Sequence, residues 1–253
     1  MKKVNWTVVL LTAFMLIILG LILSVVTAFF GNPITKMIAT SQIRSYVEKN
    51  YPDMDLEVAK AVYNFKFESY GSKVQSNTSV DTKFYVHWRR GKIDDTYETD
   101  VLKHNTTYQR LQKEFSDLVE EIINREFPYQ TSILFADIDK YMDDFGGLTL
   151  DMPLDPAAIP TSPTLVIYFY HDQINYEVFC ERLLELRDIM KKNNIKIEYY
   201  TVVMEEPSED GEKPKSSGEA IYLYDYPANK LNSQTLPEDI KIYMAAWEKE
   251  NEK

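Results

Sequence analysis

The stretch "NWTVVLLTAFMLIILGLILSVVTAFFGNP", residues 5–33, contains no charged side chain. As a helix from Trp6 to Phe30 it would be roughly 37 Å long, which exceeds the ~30 Å hydrocarbon core of a bilayer. A secretory signal usually has an apolar core of only about 7 to 15 residues. We therefore interpret residues 1–30 as a cytoplasmic tip and a transmembrane helix that is retained.

A cleaved signal sequence is the alternative for this segment. Val26, Thr27 and Ala28 are small residues that could form a cleavage site after Ala28. Cleavage there would make the chain a secreted protein with the same domains. The length of the apolar run favours retention.

The positions of the first basic residues predict the orientation in the membrane. Lys2 and Lys3 precede the span, and basic residues accumulate on the cytoplasmic side of a bilayer. We expect a single-pass protein of the cell membrane, with its N-terminus in the cytoplasm and residues 33–253 outside.

The remainder of the chain is acidic. Beyond Lys3 it holds 26 Lys and Arg against 39 Asp and Glu, a net charge of −13. Such a surface repels nucleic acid, which excludes that class of partner. The single cysteine, Cys180, excludes an intramolecular disulfide and lies on a helical pattern where it is expected to be buried.

Residues 31–128 predict a first extracellular α+β domain, in the order helix, three-stranded meander, helix. Asn32 and Pro33 are typical of a helix start. The predicted elements are a helix from Pro33 to about Tyr51, a strand over 54–67 with a bulge near residue 59, strands at 69–76 and 81–90, and an amphipathic helix ending before Pro128.

Residues 129–253 predict a second extracellular α+β domain, an α/β sandwich with the order strand, strand, helix, strand, strand, helix. A connector at 144–163 contains four prolines. The strands are expected at 131–138, 164–170, 195–204 and 219–226, with helices at 176–190 and from about Pro237.

Catalytic signatures are missing from the sequence. The three histidines have no metal-ligand spacing, and no nucleophile motif is found. We therefore predict no catalytic, cofactor or metal site. The alternative is an envelope hydrolase or a metal-dependent enzyme whose acids would be Asp137, Asp139, Asp143 and Asp144, beside the proline-rich connector.

The strand at 81–90 offers a candidate binding face. Phe84, Val86 and Trp88 alternate with Tyr85, His87 and Arg89, so the two sets point to opposite faces of the sheet. If the first set is buried, the second set forms an exposed aromatic and cationic stripe. We predict that Tyr85, His87 and Arg89 form a binding face.

Several short motifs occur in one order between Gly31 and Trp88. They are Asn32-Pro33, Tyr46, Tyr51-Pro52, "YNFKFESYGSKV" at 63–74, and Asp81-Thr82-Lys83-Phe84. In these motifs the chain resembles the N-terminal region of the YfjL-like proteins, which are membrane-anchored or lipoprotein-like proteins of Gram-positive bacteria. The resemblance implies a bacterial cell-surface protein and carries no activity with it. No cysteine lies directly after the apolar run, so the lipid anchor of some relatives is not expected.

Three functions remain open on these observations. The first is a membrane-tethered, non-enzymatic protein that binds an envelope protein or peptide. The second is the envelope hydrolase or metal-dependent enzyme. The third is a structural component of a membrane complex. Gly20 is the only glycine of the span, so it has no GxxxG face, but the small residues Ser24, Thr27 and Ala28 would allow close helix contact.

Overall fold

A computed structural model of the protein describes residues 6–138, 147–208, 213–215, 218–231 and 235–251. The chain divides into two compact units, Met1–Thr106 and Thr107–Lys253. Each unit combines helices with a β-sheet. The predicted α+β class is confirmed, with a long apolar helix at the N-terminus.

Two helices open the first unit. Helix α1 runs over Trp6–Phe30 and helix α2 over Pro33–Asn50. The start of α2 agrees with the sequence prediction, because the Asn32 side chain accepts hydrogen bonds from the backbone N–H groups of Ile34 and Thr35, at 2.8 and 3.3 Å. These bonds satisfy two of the donors that a helix start leaves unpaired.

The first sheet is antiparallel throughout and has five strands. They are β1 (Leu56–Val58), β2 (Val62–Asn64), β3 (Ser69–Ser76), β4 (Lys83–Arg89) and β5 (Lys92–Asp95). The order is β1-β3-β4-β5, and β2 also pairs with β3. Helix α2 buries Ala39, Ile43 and Val47 in the same core as Phe84 and Val86.

The sequence predicted one long strand where the structure has β1 and β2. The predicted bulge near residue 59 is found, because residues 59–61 of this segment lie opposite only residues 72–73 of β3. The Ala59 N–H still donates to the Lys73 carbonyl at 3.0 Å. Ala61 is fully buried, and its N–H donates to Thr40 Oγ1 of α2 at 3.1 Å. A hydrogen bond to a helix thus replaces a strand pairing at this point.

Strand β5 was not predicted. It follows β4 through Arg90 and Gly91, whose φ angles are +50° and +86°. Two consecutive positive φ angles are typical of the tight hairpin turn that joins adjacent antiparallel strands. The Arg-Gly pair after an alternating strand was the sequence signal for this turn. Because the turn and β5 were not predicted, the predicted meander is too short.

Helix α3 (Asn105–Glu126) belongs mainly to the second unit. The sequence prediction placed it in the first domain, with a boundary after residue 128. Its apolar stripe lies instead in the core of the second unit, where Leu111, Phe115 and Val119 are buried. The chain therefore divides near the start of this helix, at Thr106 and Thr107.

The second unit contains a four-stranded mixed sheet. Its elements are β6 (Thr131–Asp137), β7 (Thr164–Tyr170), α4 (Tyr176–Lys192), β8 (Tyr199–Glu205), β9 (Ala220–Pro227) and α5 (Leu236–Asn251). The predicted order of strands and helices is therefore found. Strands β7 and β8 are parallel and are joined through α4, while β6 and β9 add antiparallel edges.

The described part of the connector between β6 and β7 is packed against this unit. Leu148 and Ile159 lie in its core. Arg110 of α3 donates to the Met152 carbonyl at 2.6 Å, and Lys196 Nζ donates to the Ile159 carbonyl at 3.1 Å. These contacts make residues 147–163 a fixed cover for one part of the core.

A polar cluster fastens α2 to the edge of the first sheet. The Tyr46 and Tyr51 hydroxyls both donate to Asp95 Oδ2, at 2.7 and 2.8 Å, and the Tyr97 N–H donates to Asp95 Oδ1 at 3.0 Å. Burial and the bond to Asp95 raise the pKa of Tyr46 to about 12. The pKa of Tyr51 is raised for the same reasons.

We predict that Asp95→Ala destabilises the first unit by about 1–3 kcal/mol, because two half-buried hydroxyls lose a charged acceptor. Thermal unfolding of the full chain in detergent measures the change. Asp94→Ala is the matched control, since the Asp94 side chain is exposed and the same charge is removed. Equal unfolding midpoints for the two variants would contradict the assigned role of Asp95.

The raised pKa values also predict a pH dependence. Because the folded pKa of Tyr46 lies above the ordinary value of 10, its contribution to stability is complete below about pH 10 and is lost as pH rises toward 12. The same unfolding measurement at increasing pH should show this loss in the wild type and a smaller loss in Asp95→Ala.

Candidate functional site

The junction between α1 and α2 is built on Gly31. Its φ is +73°, in the left-handed region that favours glycine, and its N–H donates to the Thr27 carbonyl at 2.9 Å. A β-carbon at residue 31 would lie 2.6 Å from Tyr63 Cγ and 2.8 Å from the Tyr70 hydroxyl. Both the backbone angle and the surrounding side chains therefore require glycine.

Tyr70 of β3 fixes the residue that follows. Its hydroxyl accepts a hydrogen bond from the Asn32 N–H at 2.8 Å and donates to the Asn32 carbonyl at 3.1 Å. Tyr70 is itself buried, and its ring lies 5.0 Å from that of Tyr63. One side chain of the sheet thus holds both backbone groups of the N-cap residue of α2.

Burial along β4 follows the predicted alternation at residues 84–86, whereas His87 and Trp88 are both partly buried. Phe84 and Val86 are buried in the core. Tyr85 is 49% exposed on the opposite face, and its ring stacks on that of His87 at 6.2 Å with an interplanar angle of 12°. Arg89 is exposed farther along the same strand.

The neighbouring strands determine what surrounds this stripe. Tyr85 lies opposite Lys73 of β3, and His87 lies between Gly71 of β3 and Asp94 of β5. A β-carbon at residue 71 would come within 3.1 Å of His87 Nδ1. The glycine therefore allows the imidazole to lie close to the sheet, next to the Tyr85 ring.

The second unit has an aromatic row that sequence reasoning did not single out. Ile133, Tyr168, Val203 and Tyr222 are paired in register across all four strands. Their side chains share one face, opposite to the face that carries the core residues Ile167 and Val202 on the neighbouring positions. The two outer members, Ile133 and Tyr222, are exposed.

A ladder of three rings extends this row at one edge. Tyr222 stacks on Tyr224 at 6.3 Å, and Tyr224 stacks on Trp247 of α5 at 4.6 Å. A small cavity of about 30 Å³ is lined by Tyr222, Tyr224 and Trp247 together with Tyr243 and Met244. The alternating tyrosines in "EAIYLYDY" were the sequence signal for the two strand rings of this ladder. The contribution of Trp247 from α5 is visible only in the tertiary structure.

The four aspartates of the alternative enzyme site lie only partly within the described residues. Asp139, Asp143 and Asp144 lie outside the described residues. Asp137 is described, and its Oδ1 accepts a hydrogen bond from the Tyr108 hydroxyl at 3.3 Å. Within the described ranges, no group of three His, Cys, Asp or Glu side chains is arranged to hold a metal ion.

The perturbed titratable groups serve packing and ion pairing. Cys180 is buried as predicted, and burial, with a smaller effect of Glu177, raises the pKa of its thiol to about 11. Hydrogen bonds from Lys192, Arg125 and Asn193 lower the pKa of Glu126 to about 2. These groups belong to separate places, the core and a surface ion-pair cluster.

Two family descriptions together match most of the chain. Residues 2–101 match the YfjL-like, N-terminal domain, and residues 114–241 match the YfjL-like C-terminal domain. The chain belongs to the YfjL-like family. The predicted resemblance is thereby confirmed and extends to the second domain, and the division at Thr106 and Thr107 falls between the two matched ranges.

The YfjL-like chain is also similar to a protein named "Uncharacterized protein YfjL" from Bacillus subtilis (strain 168). The two are 28% identical over 94 residues, which cover 35% of this chain and 41% of that protein. No solved structure matches the YfjL-like chain. The comparisons therefore establish the family without assigning an activity.

We predict that Gly31→Ala destabilises the YfjL-like chain by at least about 1–3 kcal/mol, the usual cost of a strained backbone conformation, with the contact to Tyr63 added to it. Thermal unfolding in detergent measures this change. Gly20→Ala is the matched control, because no atom lies within 4 Å of a β-carbon there. The prediction fails if the two variants melt together.

Proposed function

We propose that the YfjL-like chain is a single-pass membrane protein that retains α1 as its anchor, holds both domains outside the cell and acts by binding a partner. The main support for this membrane anchor is the exposure of α1. From Val9 to Phe30 every residue except Thr27 is exposed, and the helix is long and apolar enough to cross a membrane. A bilayer would bury the apolar side chains of α1 that the protein itself leaves exposed.

The helical state of the segment favours retention over cleavage. The bond between Ala28 and Phe29 lies inside α1, and the Thr27 carbonyl is occupied by the Gly31 N–H. Hydrolysis after Ala28 would require the last turn of the helix to unwind. If α1 is retained, the Gly31 junction stays covalently joined to the membrane helix.

The orientation rests on charge. Lys2 and Lys3 precede the apolar helix, and the rule that basic residues stay inside places them in the cytoplasm. Everything from Pro33 onward then lies on the outer side of the cell membrane. A net charge of −13 on that part would favour a cationic partner over nucleic acid.

The binding role is supported by exposed side chains on the two sheets, Tyr85 and Arg89 on the first and Tyr222 on the second. The first sheet also carries His87 beside Tyr85, and the second carries Tyr224 beside Tyr222. Tyrosine and arginine are enriched in protein interfaces because each combines a large contact area with hydrogen bonding. An envelope protein or peptide is the class of partner that such surfaces suit.

The first test of the anchor compares the wild type with Ala28→Leu, which removes the small residue that a signal peptidase would need. Both proteins should have the same full-length mass, pellet with membranes and resist carbonate extraction. Protease added to intact, wall-stripped cells should digest both. A wild type that begins at Phe29 or is recovered in the medium, beside an intact Ala28→Leu, would overturn the proposal.

The second test addresses the face of β4. A photo-crosslinking residue placed at Tyr85 in the full-length protein should capture a specific partner in native membranes, while one at the exposed Thr78 should not. Because Arg89 is exposed, Arg89→Ser should reduce the capture from position 85 without lowering the unfolding midpoint. Equal capture from positions 78 and 85 would contradict the assignment.

A further inference from the structure

The turn between β2 and β3 presents apolar side chains to the outside. Phe65 and Phe67 are 61% and 57% exposed, and Val62 is 66% exposed. The turn is held by the Lys66 N–H, which donates to Asn64 Oδ1 at 3.1 Å. Three large apolar side chains in one short segment are more than the scattered exposure of a soluble surface.

The location of this turn beside the apolar helix gives it a specific environment. The Phe65 ring lies 5.9 Å from the ring of Phe29, in the last turn of α1. Tyr63, which precedes the turn, packs against Gly31 at the junction. The turn is therefore continuous with the end of the proposed membrane span.

The first turns of α2 extend the same apolar surface. Ile34, Met37 and Ile38 are exposed, although they follow the break at Gly31. They lie in the chain directly after α1, and none of them contributes to the core of the first unit. Exposed apolar side chains therefore contact the end of α1 from the β2–β3 turn and follow it directly in the chain in α2.

Basic side chains accompany this surface in an otherwise acidic protein. Lys66 Nζ lies 5.6 Å from the centre of the Phe67 ring. Lys36, Arg44 and Lys60 line a groove along α2 that also holds Glu48, and these three cations form no ion pair with any described residue. The groove is therefore basic on balance. Apolar tips with basic neighbours are the composition that places a segment at the boundary between lipid headgroups and acyl chains.

We propose that the β2–β3 turn and the first turn of α2 insert into the outer headgroup region of the bilayer, as a second membrane contact beside α1. This inference rests on the proposed anchoring of α1. Phe65 and Phe67 enter the boundary with the acyl chains, while Lys66 and the basic groove face lipid phosphates. The two contacts together fix the orientation of the first domain on the membrane.

The test uses the full-length chain in vesicles of phosphatidylcholine and phosphatidylglycerol. Single cysteines are introduced as Phe67→Cys, Val80→Cys and Leu19→Cys, and each is labelled with an environment-sensitive fluorophore. Val80 is the matched control, because it is 50% exposed and lies beyond the other end of β3. The eight residues of that strand separate the two positions by roughly 26 Å. Cys180 is buried, so the wild type serves as the blank for labelling.

We expect the label at position 67 to be quenched by lipids that carry a nitroxide near the headgroup. It should also be protected from aqueous iodide by about threefold or more relative to the label at position 80. Phe65→Ser should reduce this protection, whereas Val80→Ser, beyond the distant end of β3, should not. Replacing phosphatidylglycerol by phosphatidylcholine should weaken the protection, because Lys66 and the basic groove lose anionic partners.

The label at position 19 separates the two proposals. If lipids with a deep nitroxide fail to quench it, the anchoring of α1 is wrong. If position 19 is quenched while positions 67 and 80 are equally accessible to iodide, only the second membrane contact is wrong. Protection at position 67 that disappears as protein is diluted in the vesicles would show that a second copy covers the turn, which would also overturn the inference.

Discussion

The double hydrogen bond between the Tyr70 hydroxyl and the backbone of Asn32 is the contact through which the apolar helix and the first domain become one unit. Asn32 must start α2 directly after α1 ends, so the chain has to turn within two residues. Gly31 provides the left-handed angle, and Tyr70 supplies partners for the backbone groups that the turn exposes. Without this arrangement, the end of α1 would leave polar backbone groups unpaired beside apolar side chains.

From this junction the first domain follows by ordinary packing. Helix α2 lies against the buried face of β3 and β4, with Ile43 and Phe84 in one core, and the Asp95 cluster fastens its other end to β5. The helix is therefore held at both ends by tyrosine hydroxyls, Tyr70 at its start and Tyr46 and Tyr51 at its end. A rigid first domain is the condition under which the turn that carries Phe65 keeps a defined position beside α1.

The second domain is built differently and has its own exposed surface. A parallel pair of strands at the centre of the sheet, β7 and β8, is joined by α4, and α3 contributes Phe115 to the same core. The row that ends at Tyr222 lies on the other face, where the stacking of Tyr224 on Trp247 leaves a surface of aromatic rings. Rings of this kind lose little side-chain entropy on binding, which makes them suitable contact residues.

The sequence alone determined the features that depend on local pattern. The uncharged run before Gly31, the Asn-Pro start of α2 and the alternation around Tyr85 follow from hydrophobicity and periodicity, and each was predictable without long-range contacts. Tertiary structure decided the features that depend on partners distant in the chain. The strand predicted over 54–67 is divided because Ala61 bonds to α2, and α3 joins the second unit because its apolar stripe finds the larger core there. The turn at Phe65 reads in sequence as ordinary strand residues, and only the fold brings it to the end of α1, since proximity across the chain is a property of packing and not of pattern.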